Sequence, residues 1–181
     1  MDFYHDYSEL NSRLSNGESL FCRTENSRFE VYSAPKSESR QLRYPHIGIY
    51  TGKGSSHSWL WFVELFDRCG FHELSFLTEQ DIQKNRLSRI DVLAISGGDT
   101  FSMASALGCD GALSIKKFVS SGGLYIGSCA GAYLPMRSSK KPLDLFNFAN
   151  VKITNLSKNL PAALRMEHKA YACYGCQYLF H

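Results

Sequence analysis

The ten residues IDVLAISGGD at 90–99 decide the fold class. Apolar side chains run almost without interruption from Ile90 to Ile95, where a strand with one wet face would alternate. A strand of this kind must be covered on both faces, as in a parallel sheet between two helical layers. Ser96-Gly97-Gly98-Asp99-Thr100 follows at once, and then helical patterns at Ser102–Leu107 and Gly111–Ser120. In the second pattern Ala112, Ile115, Phe118 and Val119 share one side. Gly122-Gly123 ends it. Leu124-Tyr125-Ile126 is the next strand, running straight into Gly127-Ser128-Cys129-Ala130-Gly131-Ala132. Pro135 limits any helix that begins there.

The same alternation extends upstream. His46–Tyr50 reads as a strand and Thr51–Ser56 as a loop, with a helix from about His57 to Cys69. Trp59, Phe62, Val63 and Phe66 fall at i, i+3, i+4 and i+7, which defines one buried face. Gly70 stands in the C′ position that stops such a helix. Leu74–Leu77 is a further strand, and Thr78 through Asp81 carries the signature of a capped helix start. Strand–helix repetition of this kind predicts an α/β, doubly wound, three-layer architecture with a mostly parallel central sheet.

Residues 1–41 read as an N-terminal extension, with a helix over Asp6–Leu14 stopped at Asn16-Gly17. Ser19–Arg23 and Arg28–Ser33 form two strands of a hairpin around Glu25-Asn26-Ser27, and Ser33–Arg40 is a polar loop. The principal domain is expected over 42–181. After Pro142 the patterns weaken, leaving strand candidates at Val151–Thr154, Ala170–Tyr174 and Tyr178–Phe180. The apolar run that stops at Phe180-His181 reads as the end of a fragment, or of a shorter form of a longer protein.

Bulk properties exclude several classes. The length of 181 residues suits one domain at roughly 100–200 residues each. The hydrophobic fraction is 44% and the charged fraction 20%, ordinary for a globular chain. A net charge of +3 without a long basic stripe argues against nucleic acid as a partner. No apolar run reaches the ~18–20 residues of a membrane span. The polar start MDFYHDYSEL is not a secretory signal. Cys22, Cys69, Cys109, Cys129, Cys173 and Cys176 are then expected as reduced thiols of a cytoplasmic protein.

Cys129 has a setting of its own. It stands on a tight turn between a strand and a helix, where a side chain is presented at the carboxyl edge of the sheet. Gly127 and Gly131, two positions to either side, remove Cβ atoms that would collide there. The adjoining helix N-terminus favours a thiolate. The N–H of Ala130 and a second donor at Gly98, from the neighbouring loop, would make a two-donor oxyanion hole.

LAISGGDT at Leu93–Thr100 and YIGSCAGAYL at Tyr125–Leu134 resemble the class I glutamine amidotransferase-like superfamily. With IYTGKGSS at Ile49–Ser56 added, the set most resembles the amidotransferase-like domain at the N-terminus of biotin-protein ligases and its stand-alone relatives. The resemblance is strong from Pro45 to Leu134 and weak from Pro135 to His181; residues 1–41 do not share it. It implies a flavodoxin-like sandwich, with Cys129 as nucleophile and Gly98 and Ala130 as oxyanion donors. Two features depart from glutamine amidotransferases. The Gln expected just past the elbow is absent, Ala132-Tyr133-Leu134 following Gly131, and no His-x-Glu pair occurs. Both weigh against glutaminase activity.

A thiolate nucleophile still calls for an imidazole. Downstream of Cys129 stand only His168 and the terminal His181. The elbow also resembles that of dipeptidase-E and cyanophycinase-type serine peptidases, with Cys in place of Ser. On that likeness Asp144 and His168 take the acid and base positions. Gly97, Asp99, Thr100, Gly52, Ser55 and Ser56 are the remaining substrate-binding candidates. Gly52-Lys53-Gly54-Ser55-Ser56 lacks phosphate-loop spacing and reads as a loop closing over the pocket. Asp99 suits a helix cap as well as a substrate amine. Cys173-Tyr174-Gly175-Cys176 is a lone pair of thiols without further zinc ligands. Glu64, on the mainly apolar first helix, has no sequence signal that places it near the thiol.

The expected function is attack by Cys129 on an amide or related acyl group of a small-molecule or peptide-like substrate, through a thioester, with no cofactor and no metal. The alternative is a non-catalytic module that binds a ligase or another partner domain. A redox-sensing thiol in the same elbow is a third reading.

Overall fold

The computed structural model describes residues 7–25 and 28–152. In chain order these form helix α1 (Tyr7–Ser15), strands β1 (Phe21–Glu25), β2 (Arg28–Tyr32), β3 (Arg40–Gln41) and β4 (Ile47–Tyr50), and helix α2 (Trp59–Arg68). Strand β5 (Leu74–Leu77), helix α3 (Glu79–Gln83), strand β6 (Val92–Ile95) and helix α4 (Thr100–Ser120) come next. Strand β7 (Leu124–Gly127) and the one-turn helix α5 (Ala130–Tyr133) complete the core, with 3-10 turns at Arg86–Arg89 and Leu143–Leu145.

Strands β5-β4-β6-β7 make a four-stranded sheet in that order. Every pairing in it is parallel. Parallel neighbours need a crossover, and each crossover here carries a helix. The residues of β6 divide by parity. Leu93 and Ile95 pack with Met103, Leu107, Ile115 and Phe118 of α4. Ala94 packs with Ile47, Ile49, Phe62 and Phe66 on the other side, under α2. Leu93, Ala94 and Ile95 are all buried, which accounts for the unbroken apolar run of the sequence. The result is a flavodoxin-like three-layer α/β sandwich.

The local signals act as their chemistry requires. Thr78 and Asp81 form a reciprocal capping box at α3. At the end of α2, Gly70 adopts φ 79°, its N–H donates to Asp67 O at 2.9 Å, and the Phe71 N–H donates to Phe66 O at 2.8 Å. This is a Schellman closure. The expected helices 102–107 and 111–120 are two helical halves that meet at a kink at the non-helical Gly108 (φ 59°, ψ −161°), and α4 denotes the pair. A Cβ at Gly108 would meet nothing within 4 Å, so its conformation alone calls for glycine. Strand β6 begins at Val92 rather than Ile90; just before it the Asp91 carboxylate accepts from the His46 N–H (2.9 Å) and pairs with Arg43.

Strands β1, β2 and β3 build a second, antiparallel sheet in the order β2-β1-β3. Leu10, Leu20 and Val31 form its own small core. Val151 and Lys152 belong to no strand. The expected strands at 170–174 and 178–180, and Cys173 and Cys176, lie outside the described residues. Among the described residues no helix is long and apolar enough to cross a membrane.

Candidate active site at the carboxyl edge of the sheet

Strands β6 and β7 are neighbours with Ile95 opposite Gly127, so the loops that leave them emerge side by side. The second loop is the elbow. Cys129 has φ 52° and ψ −114°, a conformation costly for any residue with a Cβ. A Cβ on Gly127 would lie 2.5 Å from Gly131 O, and one on Gly131 would lie 2.0 Å from Ile95 O. Only bare backbone fits at either place. The Ser128 N–H donates to Ile95 O and the Gly131 N–H to Ser96 O, each at 3.0 Å. The Tyr125 hydroxyl donates to Gly131 O at 2.6 Å, and burial pushes its phenol far above the usual range, so it stays a donor. The turn is thus tied to the neighbouring strand and cannot relax alone.

The half-buried Cys129 side chain lies against Gly97. A Cβ on Gly97 would stand 3.4 Å from Cys129 Cβ and 3.7 Å from its sulfur. Gly98 has φ 148°, and a Cβ there would be 2.0 Å from Gly54 O. The N–H groups of Gly98 and Ala130 find no acceptor among the described residues. Ala130 opens α5, whose first amides have no intrahelical partner.

The loop after β4 closes the other side. The Ser56 N–H donates to Gly97 O and the Asp99 N–H to Gly54 O, both at 2.9 Å, around an isolated bridge between Ser55 and Gly98. Ser55 Oγ is 3.3 Å from Ser96 Oγ, and Ser56 Oγ donates to Gly97 O at 3.0 Å. Both serines therefore fasten this loop to the glycine pair. Gly52 lies at the far end of the loop, where a Cβ would meet Glu79 Oε2 at 2.3 Å. The Lys53 N–H donates to that same oxygen at 3.2 Å.

Asp99 is a helix cap. It accepts from the N–H groups of Phe101 (2.9 Å) and Ser102 (3.1 Å) and from Ser102 Oγ (2.9 Å). These bonds, first those from Ser102, hold its carboxyl below the ordinary aspartate value. Thr100 is the first residue of α4. Asp144 sits on the 3-10 turn Leu143–Leu145, and its Oδ1 is buried without a partner among the described residues. His168 lies outside the described residues. Among the described residues no imidazole hydrogen-bonds the Cys129 sulfur. Glu64 pairs with Arg68 at 2.6 Å on the exposed side of α2.

The structure also brings in a residue outside the sequence-derived set. Ser58 Oγ would lie 3.0 Å from a Cβ on Gly97, and it stands 2.8 Å from Ser56 Oγ. Its only sequence signal is its place just before α2, where it makes no side-chain cap. Beside it, Trp61, Phe62, Leu65, Ile126, Gly127 and Ser128 line a groove of about 250 Å³.

The family model for the N-terminal part of biotin-protein ligases matches residues 46–141, from the start of β4 to beyond the elbow, more than half the chain. The chain belongs to the biotin-protein ligase N-terminal family. No curated protein matches it. Within this family match fall Gly52, Ser55, Ser56, Gly97, Gly98, Cys129 and Ala130, while Asp144 and the first sheet fall outside it.

Proposed function

We propose that this biotin-protein ligase N-terminal domain is a cysteine-dependent, amidotransferase-like acyl hydrolase or transferase. One observation carries the reading. Cys129 is held at a costly positive φ on a turn tied to the neighbouring strand, with its side chain against bare Gly97 backbone. A strained nucleophile over a cleared backbone is what acyl transfer needs. The thiolate adds to the acyl carbon, and the carbonyl oxygen takes the negative charge between the amides of Gly98 and Ala130. The C–N bond then breaks, the amine leaves with a proton, and a thioester remains. Water or an acceptor amine resolves it. His168 would move the protons, with the Asp144 carboxylate orienting it. Residues 42–181 would act as one domain, in the cytoplasm, where the thiol stays reduced.

The test uses p-nitrophenyl acetate. Attack by Cys129 gives an acetyl adduct on the peptide that carries it, ahead of the exposed Cys109, with continued release of p-nitrophenolate. Cys129→Ala removes both signals. His168→Ala lowers the rate by about 10²–10⁴-fold, the range of a general base. Equal labelling of Cys129 and Cys109 would overturn the reading.

A second reading is a partner-binding module without catalysis. It is favoured by the absence, among the described residues, of an imidazole bonded to the sulfur. Labelling with no preference for Cys129 would support it.

A further inference from the structure

We infer that the groove between α2 and β7 is the acyl-binding subsite of Cys129, and that it takes an apolar acyl chain or aromatic ring rather than free glutamine. This rests on the nucleophile reading above. The groove is continuous with the elbow: Gly127 and Ser128, the two residues before Cys129, line it. Ser58 lines it too, and the same hydroxyl borders Gly97, against which the sulfur lies. The remaining walls are Trp61, Phe62, Leu65 and Ile126. Trp61 and Leu65 are one helical turn apart and 60% and 52% exposed, so they present a single apolar face.

Among the described residues no charged side chain lines the groove. An α-ammonium and an α-carboxylate would both be desolvated there without a counter-charge, which is costly. A neutral hydrocarbon group carries no such penalty. The volume of about 250 Å³ falls below the ~300–1,000 Å³ of a whole ligand site and suits one substituent of a larger substrate.

The experiment compares p-nitrophenyl acetate, butyrate and hexanoate, and reads acylation of Cys129 relative to Cys109 in the same chain by peptide mass. In each case the thiolate adds to the ester carbonyl, a C–S bond forms, and the C–O bond breaks. p-Nitrophenolate leaves with the electron pair, and the thiol proton passes to buffer. Cys109 is exposed and corrects for the intrinsic reactivity of each ester. Burial of one methylene is worth about fourfold. The Cys129:Cys109 ratio is therefore expected to rise by about fifteenfold for each two carbons added. The double variant Trp61→Ala, Leu65→Ala is expected to flatten this rise. Both side chains are more than half exposed, and an unchanged melting temperature confirms that the variant is folded. Leu113→Ala removes an equally exposed apolar side chain from α4 and is expected to keep the rise. If acetate labels Cys129 ahead of Cys109 but the ratio does not depend on chain length, the subsite fails alone. If no ester labels Cys129 ahead of Cys109, the nucleophile reading fails and the subsite with it.

Discussion

At the scale of single residues, the elbow sets backbone strain against presentation of a side chain. Cys129 at φ 52°, ψ −114° lies where a Cβ costs about 1–3 kcal/mol. Glycine escapes that cost. Cys129→Gly is therefore expected to be more stable than Cys129→Ala by about 1 kcal/mol in urea unfolding, the reverse of the usual order for these two residues. Gly97→Ala separates folding from chemistry. Its new methyl would meet Ser58 Oγ at 3.0 Å and Cys129 Sγ at 3.7 Å, contacts that a slight side-chain movement relieves. The melting temperature should hardly change, while acylation of Cys129 falls by about 10²-fold, because the methyl fills the space an attacked carbonyl must enter. Gly131→Ala has no such escape, since its Cβ would be 2.0 Å from Ile95 O. Destabilisation of about 2–3 kcal/mol is expected, and an unchanged urea midpoint would contradict this packing. Much of this site was legible in Gly127-Ser128-Cys129-Ala130-Gly131, because steric demands in a tight turn act over a few bonds. Ser58 was not legible, because its role comes from a loop that folds back onto Gly97.

Among the elements, α4 shows how local signals are read: a cap at its start and a break in its middle. Asp99 caps its start, and bonds from Ser102 and Phe101 hold the carboxyl below its ordinary value. A depressed folded value means that the stabilisation is present above the unfolded value, about 3.9, and is lost as pH falls through the folded one. Asp99→Asn keeps a good cap. Its melting temperature should follow the parent closely at pH 7 and depend less on pH below about 4. A parallel fall in both proteins would exclude Asp99 as a source of the acid sensitivity. The interruption between 107 and 111 is visible in the pattern. That the two helical halves meet directly at a kink at Gly108, and that both lie on β6, follows only from how they pack.

Across the whole molecule, α1 and the segment just before β4 meet the end of α2 through a few polar contacts. The buried Asn11 side-chain amide donates to Cys69 O at 2.6 Å, and Ser8 Oγ donates to Arg68 O at 2.8 Å. Tyr44 OH donates to Gly70 O at 3.1 Å and accepts from the His72 N–H at 2.7 Å. The first three of these bonds satisfy carbonyls at and just past the end of α2. Asn11→Ala leaves Cys69 O without its donor. A loss of about 1–3 kcal/mol is expected, with faster amide exchange at Gly70 and Phe71. Unaltered exchange there would mean that α2 ends independently of the N-terminal segment.

By itself the sequence determined the alternation of strands and helices, the parallel character of β6 and the elbow around Cys129. Each depends on spacing within a few residues, through side-chain period, capping and Cβ collision. Tertiary structure alone decided the register, Ile95 opposite Gly127, by which the expected glycine pair comes to lie beside the thiol. It also decided that Ser58 and the α2 face border the elbow, and that α1 closes the end of α2. Those pairings join residues far apart in the chain, and they arise only when burial of both sheet faces brings the layers together.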